Sequence, residues 1–177
     1  MEQKVSVWKA NLNSGLILGL VGIVYSLLMY FLDLSFNKVQ GYIFMLVQVA
    51  LLFYLVKSYR DNYLNGYITY GQALGAGVII CLYSALLMAV FTYILYAFID
   101  PGLAEKQLAF TEEIMMERSM PQVQIDAGMA VQKKIIIPPV IAVMGIFGSM
   151  LYGTIMSLLI GIFVRKEGNP LIDSPEN

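Results

Sequence analysis

The chain is 177 residues long, 59% hydrophobic and 13% charged, with a formal net charge of −1. A soluble domain carries about 25% charged residues, spread over its surface. Here no charge occurs between Lys9 and Asp33, Lys38 and Lys57, Asp61 and Asp100, or Lys134 and Arg165. Such a chain is not a water-soluble globule; the net charge hides a strong segregation of charges, and no nucleic-acid partner is expected.

A spanning helix needs roughly 20 apolar residues, within a range of about 17–25. A charge at its centre costs about 2.5–3.5 kcal/mol on insertion scales. The four charge-free gaps therefore predict spans at about residues 14–32, 41–56, 71–99 and 135–164. The fold class expected is all-α, a polytopic four-transmembrane-helix bundle in one membrane domain, residues 1–170, with a flexible tail at 171–177.

In chain order, Lys4 and Lys9 precede the first span. The apolar run that follows is too long for a signal peptide, and no A-x-A site closes it, so a retained span is expected. The second span is short. The third ends at Asp100, and residues 100–134 follow as an acid-rich connection. Its first part, PGLAEKQLAFTEEIMMERSMP, starts and stops on proline, and Leu103, Phe110 and Ile114 share a helical face. A helix over the outer end of the bundle is predicted, with a second piece, PQVQIDAGMAVQKK, leading toward span four. Pro138 and Pro139 suit the first turn of that span or a kink in it. Four spans put both termini on one side, with Lys4, Lys9, Lys57, Arg60, Arg165 and Lys166. Basic residues favour the cytoplasm, so both termini are expected inside.

The fourth span holds small residues in a row: Gly145, Ser149, Gly153, Ser157 and Gly161. The third holds another at the same spacing: Ala73, Gly77, Cys81, Ala85 and Ala89. The first adds Gly15, Gly19 and Gly22. Residues four apart lie on nearly one face. Lipid tails are as apolar as leucine, so helices associate by close contact between small residues. Spans three and four are expected to pack along these rows, with span one against one of them.

Chemistry is sparse. There is no histidine, so the usual imidazole acid, base and metal ligand is missing. The lone Cys81 offers no disulfide partner. Asp33 and Asp100 mark outer helix ends. Gln48 in span two and Gln72 at the start of span three are candidates for a polar cavity; the plainer reading makes each a hydrogen-bonding glue between helices. The pairs YSLLM at 25–29 and YSALLM at 83–88 suggest a two-plus-two repeat of hairpins.

The stretches SGLILGLVG, SYRDNYLNGYITYGQALGAGVI, FIDPGLAEKQ, EEIMMERSM, QIDAGM and IGIFVRKEGNP together resemble the domain of unknown function 4199 group, small bacterial inner-membrane proteins. The resemblance runs over nearly the whole chain. It implies an integral four-helix protein with a helical outer loop and carries no catalytic residues. The function expected is a non-catalytic, cofactor-free membrane component that self-associates or binds a membrane partner. The alternative is a subunit of a small-solute transporter or channel. An enzyme is not expected, since no nucleophile–base pair is evident.

Overall fold

The computed structural model describes residues 6–166. Six helices follow one another: α1 (Val7–Phe31), α2 (Lys38–Tyr63), α3 (Tyr70–Ile94), α4 (Leu103–Glu117), α5 (Gln122–Ile135) and α6 (Pro138–Val164). The last turn of α3 widens to a π-helical stretch, Leu95–Ile99. Four helices are long and apolar enough to cross a membrane: α1, α2, α3 with its π extension, and α6. The protein is all-α and multi-pass, and four crossings return the chain to the side on which it starts. That side is the termini side, the other the loop side.

The helix ends follow from local chemistry. The first and second spans outrun their charge-free gaps: α1 starts at Val7 and α2 runs on to Tyr63. A helix continues into the headgroup layer, where charges such as Lys57 and Arg60 meet water cheaply. Asn37 caps α2, its Oδ1 accepting from the Val39 N–H at 2.8 Å. Asp33 (φ 55°) and Asn65 (φ 52°) turn the chain after α1 and α2 in the left-handed region that short polar side chains tolerate. The fourth span begins at Pro138 rather than residue 135, because α5 ends at Ile135 and the two prolines occupy the first turn of α6. A proline there gives up an N–H that has no intrahelical partner anyway. The expected tail at 171–177 lies outside the described residues, as does Lys4.

Helix α3 is the hub. Its most extensive contact is with α6 and the next with α1; α2 touches α1, α3 and α6 more lightly. Hydrophobic side chains that would be interior in water face outward. Leu20, Val24, Phe147, Leu151, Ile155 and Phe163 are all exposed. This is the surface expected against lipid, which gives no hydrophobic drive to bury them.

Leu95, Leu103, Ile125, Met129 and Ile136 are buried on the loop side, and the main buried cluster lies toward the termini side. Ala73, Ala76, Ile80, Leu55, Val56, Ile68, Ile160 and Val164 form the core. A clamp closes that end. Ile68 and Lys166 exchange both backbone hydrogen bonds, at 2.8 and 3.0 Å. Arg60 Nη1 donates to the Val164 carbonyl at 3.2 Å, placing a cation at the C-terminus of α6 where the helix dipole favours one. The Tyr70 hydroxyl donates to the Leu158 carbonyl at 3.2 Å. The Lys166 ammonium sits 5.4 Å from the Tyr67 ring centre.

Candidate functional site: a two-chambered cleft on the loop side

The small residues determine where helices can meet. A Cβ added to Gly77 would fall 2.8 Å from the Ser157 Cβ, and one on Gly153 would fall 2.6 Å from both Cβ and Sγ of Cys81. A Cβ on Gly161 would press on the Tyr70 ring at 3.0 Å. Such separations leave no room for a methyl group, so α3 and α6 touch here only because these positions lack side chains. The α1 glycines act likewise. Gly15 lies under Tyr83, and a Cβ there would fall 3.0 Å from the Ile80 carbonyl. Gly19 packs on Leu87 and Ser84, and Gly22 on Met88 Sδ.

The rows do not stay together along their whole length. A Cβ on Gly145 would meet nothing within 4 Å, and both Gly145 and Ser149 are exposed. From Cys81 toward the loop side, α3 and α6 diverge. Ala85, Ala89, Gly145 and Ser149, expected as packing residues, instead line a cavity of about 190 Å³ together with Leu18, Phe44, Leu52, Met88, Ala142 and Tyr152. Larger side chains stand around the cavity: Tyr152 reaches toward α2, its hydroxyl 3.4 Å from the Met45 carbonyl, while Phe44 stacks on Tyr25 and Met88 packs on Gly22, both of α1.

Gln48 lines this inner chamber, with Ser84 and Thr92. Among the described residues, none of these three, nor Ser149, finds a hydrogen-bond partner for its side chain. Ser84 is only 5% exposed. Gln72 is elsewhere. It forms a capping box at the start of α3: Thr69 Oγ1 accepts from the Gln72 N–H at 3.3 Å, and Gln72 Oε1 accepts from the Thr69 N–H at 3.0 Å. Gln72 is exposed and lines neither chamber. The T-x-x-Q spacing in TYGQ is the sequence signature of that cap.

An outer chamber of about 250 Å³ adjoins the inner one, sharing Phe44 and Thr92. Its walls are more polar: Tyr25, Ser26, Ser35, Gln40, Tyr96 and Gln107, the last from α4, which lies across its mouth with Leu103. Several of these groups already hold one another. The Tyr25 hydroxyl donates to the Gln40 carbonyl at 2.9 Å and its ring stacks on Phe44 at 4.7 Å. Gln40 Nε2 donates to the Ser35 carbonyl at 3.1 Å, and the Tyr96 hydroxyl to Gln107 Oε1 at 2.8 Å. The serines of the two Tyr-Ser pairs thus reach the two chambers, Ser84 the inner and Ser26 the outer.

No Asp, Glu, Lys or Arg is among the residues lining either chamber. Charges gather outside, where α4 is fastened. Asp100 Oδ1 accepts from the Gly102 N–H at 3.0 Å, and its other oxygen lies 3.5 Å from the Lys106 ammonium and 3.4 Å from the Tyr30 hydroxyl. Lys38 pairs with Glu117, and Phe36 packs on Phe110 at 5.7 Å. Helix α5 folds back on α4: Ile125 and Met129 are buried, and Gly128 lies against Met115. Its other side leaves Val123 and Val131 exposed. Two further buried polar atoms on the termini side, Asn11 Oδ1 and Ser157 Oγ, find no partner among the described residues, although Asn11 Nδ2 donates to the Val7 carbonyl at 2.9 Å.

Among curated proteins and among solved structures, none matches this chain. Comparison with protein families matches residues 13–166 to the family described as Protein of unknown function (DUF4199). That match begins within α1, takes in both chambers and the α4–α5 hairpin, and ends at the Ile68–Lys166 clamp: the chain belongs to the DUF4199 family.

Proposed function

We propose that this protein is a non-catalytic component of a bacterial inner membrane, with both termini in the cytoplasm, that works by binding a membrane partner through the α4–α5 hairpin. The observation that carries the reading is the hairpin itself. It is fastened to the bundle through Lys38–Glu117, Phe36–Phe110 and Tyr96–Gln107, so it is held in a defined position. Yet it keeps Met116, Val123 and Val131 exposed, at 55%, 80% and 56%, on the same hairpin as the acids Glu113, Glu117 and Asp126. Apolar groups rimmed by charge on a positioned element mark an interaction surface. Gly77, Gly153 and Gly161 are used between α3 and α6, and Gly15, Gly19 and Gly22 between α1 and α3, of one chain.

Chemical cross-linking in native membranes tests this. A discrete cross-linked species is expected for the parent and lost from a Val123→Asp, Val131→Asp double variant. A parent that cross-links to nothing, in either form, sinks the proposal. Orientation is read separately, by labelling single cysteines at Lys166 and Glu113 in intact cells. Labelling of the residue-166 position from outside would reverse the assignment.

A second reading, a subunit of a small-solute transporter or channel, draws on Gln48, which lines a chamber rather than a sealed helix contact. Against it stand Val56, Ile80 and Val164, fully buried on the termini side where a path would have to continue. A conduit requires that half to open.

A further inference from the structure

We propose that the two chambers form a binding site for an uncharged lipid with a hydroxyl headgroup and an ester carbonyl, of the monoacylglycerol class. The headgroup occupies the outer chamber, the carbonyl reaches the inner one, and the acyl chain leaves sideways into the bilayer between α6 and its neighbours. This does not depend on any partner the hairpin holds, although α4 of the hairpin walls the outer chamber.

Four observations lead here. The first is hydrogen bonding. Gln48, Ser84, Thr92 and Ser149 are polar side chains on membrane-spanning helices, and among the described residues none has a partner. Ser84 is only 5% exposed yet faces the chamber. Within a bilayer, an unsatisfied polar group costs several kcal/mol, so the occupant of this space is one that hydrogen-bonds. The second is charge. Among the described residues, neither chamber is lined by Asp, Glu, Lys or Arg, so a phosphate or carboxylate would enter without a counter-charge from them. The third is the gradient of polarity. The outer chamber, under α4, is lined by Ser26, Ser35, Gln40 and Gln107. The inner one is walled chiefly by aliphatic and aromatic carbon, including Leu18, Leu52 and Met88. A molecule with hydroxyls at one end and a single carbonyl next to a hydrocarbon chain matches that order. The fourth is access. Gly145 and Ser149 are exposed, so the inner chamber has a side opening at a depth where the bilayer supplies lipid and not free solute. Chambers of about 190 and 250 Å³ hold a headgroup and the first carbons, and the opening removes the need to enclose the rest.

The test uses the full chain in lipid nanodiscs and a monooleoylglycerol carrying a diazirine close to the ester. Photolysis followed by peptide mapping is expected to place the label around Gln48, Thr92 and Ser149. Excess unlabelled monooleoylglycerol should suppress it, and the anionic phosphatidylglycerol should not. Ala89→Phe, which fills the inner chamber, is expected to cut chamber labelling at least tenfold. Ser149→Phe, at the exposed opening, serves if Ala89→Phe melts earlier than the parent. Label confined to lipid-facing positions such as Leu20 and Ile155 overturns the proposal. So does chamber labelling that survives a folded filling variant, or that phosphatidylglycerol suppresses equally well.

Discussion

The two halves of this bundle are made from the same rows of small residues, yet one half is shut and the other open. On the termini side, Gly77 meets Ser157 and Gly153 meets Cys81 with no room for a methyl group. On the loop side, Gly145 faces open space, although it continues the same row at the same spacing. Small residues permit close approach without compelling it. Whether two helices close depends on what else stands between them. Near the termini the answer is a clamp, with Arg60, Ile68 and Tyr70 all gripping the end of α6. Near the loops there is a cavity in its place, and the larger side chains around it turn to other helices: Tyr152 toward α2, Phe44 and Met88 toward α1.

The largest expected effect sits in the shut half. Gly153→Leu must separate α3 from α6, and is expected to destabilise the protein by the upper end of the ~1–3 kcal/mol seen for overpacking, or more. Gly145→Leu, one end of the same row, is expected to change stability by less than about 0.5 kcal/mol, the usual size for a change that meets no neighbour. Thermal unfolding in one detergent compares the pair directly, and equal losses would erase the distinction between the halves. Gly15→Ala is next, since its methyl would press on Tyr83 and the Ile80 carbonyl; a loss of about 1–3 kcal/mol is expected by the same measurement.

Arg60→Ala comes third. It removes a charged hydrogen bond from the Val164 carbonyl, and with the helix-dipole interaction a loss of about 1 kcal/mol is expected. Faster backbone amide exchange in the last turn of α6 should accompany it, and exchange unchanged there would mean the clamp does not depend on Arg60. Gln48→Leu sharpens the contrast from the open half. Its amide has no partner to lose among the described residues, so the empty protein is expected to be unchanged or slightly more stable, by under about 1 kcal/mol. A clear destabilisation would place Gln48 in the fold's support and not in the cleft. The smallest effect belongs to Lys38→Ala. Its pair with Glu117 is exposed, and exposed pairs contribute about 0–1 kcal/mol. No measurable change in unfolding is expected.

Much of this architecture is legible in the sequence. The charge-free gaps locate four spans, because a bilayer penalises charge strongly and at a fixed thickness. The prolines at 101 and 121 flank the loop-side helix, which ends at Glu117 where Ser119 turns the chain in the left-handed region, and Pro121 then takes the N-cap position of α5. Gln72 reads as a cavity residue from hydropathy alone, although T-x-x-Q announces a cap. Local hydrogen bonding outranks an assignment made from hydropathy when a polar residue stands at a helix start. Ser84 and Ser26 look like ordinary serines in Leu-rich helices, since which way a serine faces depends on helix rotation.

By itself, the sequence determined the solvent, the number of crossings and the set of positions where helices are able to approach, because all three depend on residue size and charge summed along one chain. Only the tertiary structure decided which of those positions close. Closure depends on contacts between helices: at the shut end Arg60 of α2 and Tyr70 of α3 hold α6, and at the open end Tyr152 of α6 turns to α2, meetings that no spacing along the chain encodes.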